Sequence, residues 1–183
     1  FDMVIDHYRS DAEYRSLFGY DKRLEELILR EKRYNSNIPI ARIDIFYNEA
    51  TKAFCFCEFN TDGSSAMNED RELNRGIRYT KGYEYLSEKY HLHTFELFES
   101  WVKTSLAIYA QTEGAVEKPH VAIVDFMESA TNNEFEIFAD CYRKHGIECE
   151  ICEIRDLTFK DGRLYGKEEK PIEEADGMSK KKK

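Results

Sequence analysis

The chain has 183 residues with 27 Lys and Arg against 36 Asp and Glu, so its net charge is 27 − 36 = −9. It is 42% hydrophobic and 14% aromatic, which excludes a disordered chain and supplies apolar material for one medium domain or two small ones. The acidic balance argues against general attraction to a nucleic-acid backbone. No run of 18 apolar residues and no signal-peptide pattern occurs, so a cytoplasmic location is the default expectation. Cys55, Cys57, Cys141, Cys149 and Cys152 are an odd, dispersed set that reads as reduced thiols rather than a disulfide framework. The first residue is Phe1 and the last six are MSKKKK, so a fragment of a longer polypeptide is expected.

In chain order, DAEYRSLFG reads as a short helix stopped by Gly19, and the apolar spacing Leu17, Tyr20, Leu24, Leu27, Ile28 predicts a helix over about 21–34. From Ile38 the period shortens to two. IPIARIDIFYNEATKAFCFCEFNTDG predicts two strands around a turn at NEATK. Ile43, Ile45 and Tyr47 share one parity and Arg42, Asp44 and Phe46 the other; in the second strand Cys55, Cys57 and Phe59 alternate with Phe54, Phe56, Glu58 and Asn60. Pairing centred near Thr51 sets Asp44 opposite Glu58 and Arg42 opposite Asn60. Facing carboxylates on a sheet repel, and a bound cation or an adjacent guanidinium compensates. The four residues are therefore a metal-site candidate, with an ordinary solvated sheet face as the alternative.

TDGSSAMNEDRELNRG is polar and turn-rich, its first part expected as a loop that could face substrate. Thr61, Asp62, Ser64 and Ser65 could hydrogen-bond substrate or phosphate there, although they are also common loop formers and TDGSS lacks the glycine and lysine spacing of a phosphate-binding loop. YEYLSEKYHLHTFELFESWVKTSLAIYAQT is a long helical pattern whose securest part is 94–111, with Phe95, Phe98, Trp101, Val102, Leu106 and Tyr109 as core positions. EGAVEKP marks an internal boundary. Beyond it, HVAIVDF, NNEFEIFADCYRKHG and IECEICEI read as strand, helix and strand, a parallel βαβ unit. DLTFKDGRLYG adds two short strands around Lys160, Asp161 and Gly162, and residues 167–183 read as a weakly ordered charged tail with a short hairpin continuation.

The fold class is α/β: an α+β hairpin-and-helix region followed by a βαβ unit. Asp125, Glu128 and Ser129 follow a buried strand, where α/β proteins display ligand-contacting groups, but no dinucleotide-binding glycine loop accompanies them. His91 and His93 fit a helix entry better than a metal site. Cys55-x-Cys57 and Cys149-x-x-Cys152 are weak redox or zinc signals, the latter fitting a strand.

ARIDIFYNEATKAFCFCEFNTDGSS resembles the Arg-x-Asp and Glu-x-Asn strands of glutathionylspermidine synthases and their circularly permuted ATP-grasp relatives. HVAIVDFMES through DLTFKDGRLYG is similar to the α/β segment that follows in those proteins, so the resemblance spans about 38–166. It implies a partial ATP-grasp-like region over 1–115, a small Rossmann-like or pre-ATP-grasp-like substrate-domain segment over 116–166, and a tail over 167–183. It further implies an ATP-dependent carboxylate–amine ligase using Mg²⁺. ATP converts a small carboxylic acid into an acyl phosphate, which an amine attacks to form an amide; peptide-like and polyamine substrates are both open. By this resemblance Arg42 contacts the reactive phosphate or intermediate, and Asp44, Glu58 and Asn60 bind magnesium. The nucleotide pocket of such a site lies partly downstream, so a fragment or degenerate relative is expected. A noncatalytic ligand-binding or assembly domain and a metal-dependent phosphotransferase or hydrolase are the other two readings.

Overall fold

A computed structural model of the protein describes residues 1–61, 66–128 and 132–177, with side chains described up to residue 173. The fold is mixed α/β with small sheets. Helices α1 (Asp2–Ser10), α2 (Ala12–Ser16) and α3 (Lys22–Leu29) open the chain. Asp11 leaves the helical region after α1 and caps α2, its Oδ1 accepting from the backbone N–H groups of Glu13 and Tyr14 at 2.8 and 3.0 Å. Gly19 takes φ +62°, as expected of the residue that closes the second helical piece. The helix expected over 21–34 is shorter and stops at Leu29. The Arg9 guanidinium satisfies the carbonyls of Ile28, Leu29 and Arg30 at 2.7, 3.2 and 3.0 Å, replacing the helical partners that a further turn would supply.

Strands β1 (Arg42–Tyr47) and β2 (Phe54–Asn60) form the antiparallel hairpin. Asn48 shapes its turn, Oδ1 accepting from the N–H groups of Ala50 and Thr51, both at 3.0 Å. Next come α4 (Met67–Ile77), α5 (Lys81–Ser87) and α6 (Leu97–Tyr109). The long helical pattern is thus two helices separated by an irregular stretch over 88–96, which holds His91 and His93. The expected 94–111 helix begins at Leu97, and Phe95 lies outside it, 78% exposed rather than in the core.

The downstream half follows its expected order: β3 (His120–Asp125), α7 (Asn132–Lys144) and β4 (Glu148–Glu153), with β3 and β4 parallel in register from His120/Glu148 to Asp125/Glu153. Strands β5 (Thr158–Lys160) and β6 (Arg163–Tyr165) flank a two-residue turn at Asp161 and Gly162, both at positive φ, the geometry that matches the twist of a tight hairpin. Within the segment read as a charged tail with a short hairpin continuation, residues 171–177 enter both sheets. Strand β7 (Pro171–Ile172) supplies that continuation of the β5–β6 hairpin, and β8 (Glu174–Gly177) pairs parallel with β3, giving the order β4–β3–β8. Without β8 the edge of β3 away from β4 would leave backbone groups unpaired, and a backbone ladder satisfies them whatever the side chains.

The core has three layers. Phe98 and Val102 of α6 and Phe135, Phe138, Ala139 and Tyr142 of α7 lie at helical spacing and cover one face of the parallel sheet, against Val121, Ile123 and Cys149. Ala122, Val124 and Cys152 point to the other face and meet Ile172, with Leu157 and Leu164 packed alongside. Every residue of β3 is buried, as expected of a central strand covered on both faces. Among the described residues, no helix is long and apolar enough to cross a membrane.

Candidate functional site

The hairpin register places Arg42 opposite Asn60, Ile43 opposite Phe59 and Asp44 opposite Glu58. Beyond Asp44 the register shifts: Ile45 faces Phe56, leaving Cys57 as an extra residue on β2, a β-bulge. Because one inserted residue reverses the alternation, the parity expected for the second strand holds only from Glu58 onward. Phe54 and Phe56 join Ile43, Ile45, Tyr47 and Phe59 on one face, while Cys55 moves to the face of Asp44 with Phe46. Phe1 stacks on Phe59 with ring centroids 4.1 Å apart, and Phe54 meets Phe56 edge-on at 5.4 Å.

Arg42, Asp44, Glu58 and Asn60 therefore share one face at the base of the hairpin. Directly opposed side chains on such a pair lie within about 5.5 Å at Cβ, so the two carboxylates share one site. Arg42 Nε stands 3.4 Å from Asp44 Oδ1, with both side chains more than two-fifths exposed. The guanidinium neutralises one of the two carboxylates, so the face carries positive and negative groups at its centre rather than a bare acidic pair. Asn60 is half-buried where β2 ends, and Thr61 follows it in the open. Asp62, Ser64 and Ser65 lie outside the described residues, as does Ser129.

Arg42 also lines a cleft of about 490 Å³. Its walls come from Pro39 and Ile40 before β1, Met67 and Asp70 of α4, and Leu97 and Trp101 of α6. The position of α4 has a cause that the local sequence does not show. Ala66, with φ +78°, offers no capping side chain, and buried Glu134 of α7 supplies the cap: its Oε1 accepts from the N–H groups of Met67 at 3.1 Å and Asn68 at 3.3 Å. The only local hint was the pair of apolar neighbours, Phe135 and Phe138, that carry Glu134 into the core.

Other sequence candidates separate. Cys149 and Cys152 are buried on opposite faces of the parallel sheet, one in each hydrophobic cluster, so the C-x-x-C spacing is structural. Asp125 is buried and its Oδ1 accepts from the N–H of Phe126 at 2.6 Å; Glu128 pairs with Arg155 at 3.1 Å. Glu153 Oε2 accepts from the N–H of Met127 at 2.9 Å, and that bond holds its carboxyl below the usual range. Among the described residues at the end of β3, the carboxylates of Asp125, Glu128 and Glu153 are thus partnered within the fold. His93 packs edge-on to Phe95, with ring centroids 5.8 Å apart.

Compared with models of known protein families and with curated protein sequences, the chain has no match. The functional reading rests on the residues of the hairpin and the cleft beside them.

Proposed function

We propose that the hairpin is the magnesium- and phosphate-handling element of an ATP-dependent carboxylate–amine ligase of the glutathionylspermidine synthase-like, ATP-grasp kind. One observation carries the reading: the register sets Asp44 against Glu58 and Arg42 against Asn60 on one face, with Arg42 opening onto a cleft. Two carboxylates and an amide oxygen are a hard donor set that fits Mg²⁺, so Asp44, Glu58 and Asn60 would hold the ion. Magnesium, when bound, supplies neutralisation of phosphate charge. Arg42 is suited to hydrogen-bond a phosphoryl oxygen through its planar fork, a stabilisation that grows as charge moves during transfer. Thr61, Asp62, Ser64 and Ser65 are proposed as substrate or phosphate contacts. In the overall reaction the terminal phosphoryl group of ATP passes to a carboxylate oxygen and ADP leaves; the amine nitrogen then attacks the acyl carbon and inorganic phosphate leaves. A cytoplasmic setting, with ATP available and thiols reduced, goes with this chemistry. The substrates are a small carboxylic acid and an amine of peptide-like or polyamine type.

Titration calorimetry with Mg²⁺ and a non-hydrolysable ATP analogue tests the reading. Binding is expected to require Mg²⁺, to be lost in Asp44→Asn and Glu58→Gln, and to weaken in Arg42→Ala. Without metal, Glu58→Gln removes a facing like charge and should raise stability by about 0.2–1 kcal/mol. Nucleotide binding that survives both carboxylate variants would refute the assignment. The apolar wall of the cleft, with Leu97 and Trp101, supports a second reading as a noncatalytic ligand-binding domain. Binding of peptide-like ligands without nucleotide binding or amide formation would favour that alternative.

A further inference from the structure

We propose that Glu99, Cys141 and His145 form a binding site for a divalent transition-metal ion of the zinc type, at the junction of α6 and α7. The site does not rest on the ligase reading, because it shares no residue with the hairpin. Cys141 and His145 are four residues apart at the end of α7, one helical turn, so their side chains stand on the same side. Glu99, in the first turn of α6, faces both. Glu99 Oε1 lies 2.8 Å from His145 Nε2, Cys141 Sγ lies 3.4 Å from Glu99 Oε2, and one ligand atom from each residue falls within 4.8 Å of the other two. A tetrahedral zinc ion with bonds of about 2.0–2.3 Å separates its ligand atoms by roughly 3.3–3.7 Å. The Cys141–Glu99 separation already falls in that range, and the His145–Glu99 separation, shorter by about half an ångström, widens to it with a small turn of either partly exposed side chain.

The donor chemistry selects the ion. Thiolate, imidazole and carboxylate together suit Zn²⁺ and Co²⁺, whereas Mg²⁺ and Ca²⁺ prefer oxygen alone. The supporting shell is rigid: Phe98 and Phe138 pack edge-on between the two helices at 4.6 Å, and both are 2% exposed or less. Such packing holds Glu99 over the end of α7, and His145, the first residue past that helix, keeps the helical hydrogen bond from its N–H to the Cys141 carbonyl at 3.3 Å. Cys141 is buried, while the Glu99 and His145 side chains are 36% and 29% exposed, so the cluster opens to solvent on one side. That opening provides an entry path and room for water as a fourth ligand.

Lys103 Nζ lies 3.0 Å from Glu99 Oε1 on a mostly exposed side chain and places a positive charge where the ion would sit. A divalent ion replaces it. The Cys141 thiol proton leaves to solvent, His145 offers the Nε2 lone pair with its remaining proton on Nδ1, and Lys103 swings into water. The sequence carries a trace of this site in the Cys-x-x-x-His spacing of ADCYRKHG, whose third ligand comes from a different helix.

Co²⁺ titration of the full, reduced chain provides the test, because thiolate ligation produces a near-ultraviolet charge-transfer band and a tetrahedral site produces strong visible d–d bands. Both are expected at one equivalent and should be displaced by Zn²⁺. Cys141→Ser should abolish the charge-transfer band. His145→Ala and Glu99→Gln, which change partly exposed side chains and spare the core, should each weaken binding at least tenfold. The double variant Cys55→Ser, Cys57→Ser should leave the spectrum unchanged. Absence of the charge-transfer band in the parent, its loss with Cys55 and Cys57, or undiminished affinity in both His145→Ala and Glu99→Gln would overturn the proposal.

Discussion

Glu134 offers a test of how α7 positions the wall of the cleft. Glu134→Ala removes the acceptor for the Met67 and Asn68 N–H groups at the start of α4, in a position where the side chain is only 5% exposed. Loss of a helix cap costs about 0.5–2 kcal/mol, and an acceptor that carries charge at a helix N-terminus lies at the upper end of that range. The expected loss for Glu134→Ala is therefore about 2 kcal/mol, and for Glu134→Gln, which keeps an oxygen acceptor without the charge, about half as much. Urea unfolding measures the global term. Amide exchange at Met67 and Asn68 measures the local one, since an uncapped first turn opens before the rest of the helix. Because Ala66, Met67 and Asp70 line the cleft, ligands that use it should bind less tightly in Glu134→Ala. Stability within a few tenths of a kcal/mol of the parent, with those amides equally protected, would refute the capping argument.

Three further outcomes follow from the core and its rim. Gly166→Ala would place a methyl carbon 2.6 Å from Cys152 Sγ and closer still to Glu150 Oε1. Glu150 is buried and its Oε2 accepts from the N–H groups of Lys167 and Glu168, so it cannot yield freely; thermal or urea unfolding should show a loss of about 1–3 kcal/mol. The hydrogen bond from the Met127 N–H lowers the Glu153 carboxyl, so its contribution is fully present above the unfolded value of about 4.3 and is lost as pH falls through the lower folded value. Glu153→Gln should accordingly flatten the acid limb of a urea-midpoint-against-pH curve, and an unchanged limb would contradict this role. Thiol labelling of the native, metal-free chain should modify exposed Cys55 and Cys57 first and reach Cys141, Cys149 and Cys152 only on unfolding. Burial, with hydrogen bonds to Glu99 and Glu150 respectively, pushes the Cys141 and Cys152 thiols up to about 11, which slows their reaction further.

The elements legible in the sequence were those whose cause is local. Alternating residues around NEATK predict the hairpin because turn chemistry and strand parity act within a few residues, whereas the pairing of Asp44 with Glu58 is reached only through the bulge at Cys57, which offsets a turn one residue out of the expected register. Asp161 and Gly162 mark their turn because both accept positive φ. The apolar strands around the NNEFEIFADCYRKHG helix give the parallel unit because a buried central strand needs cover on both faces. Other features were less legible. The bulge at Cys57 moves Cys55, Phe54 and Phe56 between faces, yet FCFCEFN alternates smoothly with no glycine to mark an insertion. The early end of α3 depends on Arg9, about 20 residues away, and Phe95 follows the helical period without being in a helix.

By itself, the sequence determined the hairpin, its polar base, the βαβ order and the short β5–β6 turn, because each is written in side-chain periodicity and backbone preference over a few neighbouring residues. Tertiary structure alone decided that Glu134 caps α4, that residues 174–177, with no apolar alternation to mark a strand, complete the sheet beside β3, and that Glu99 meets Cys141 and His145. In each case a backbone group or a side chain finds its partner across the fold. Backbone hydrogen bonding is indifferent to side-chain polarity, and a carboxylate on one helix leaves no local sign of the N–H groups, thiol or imidazole it will face.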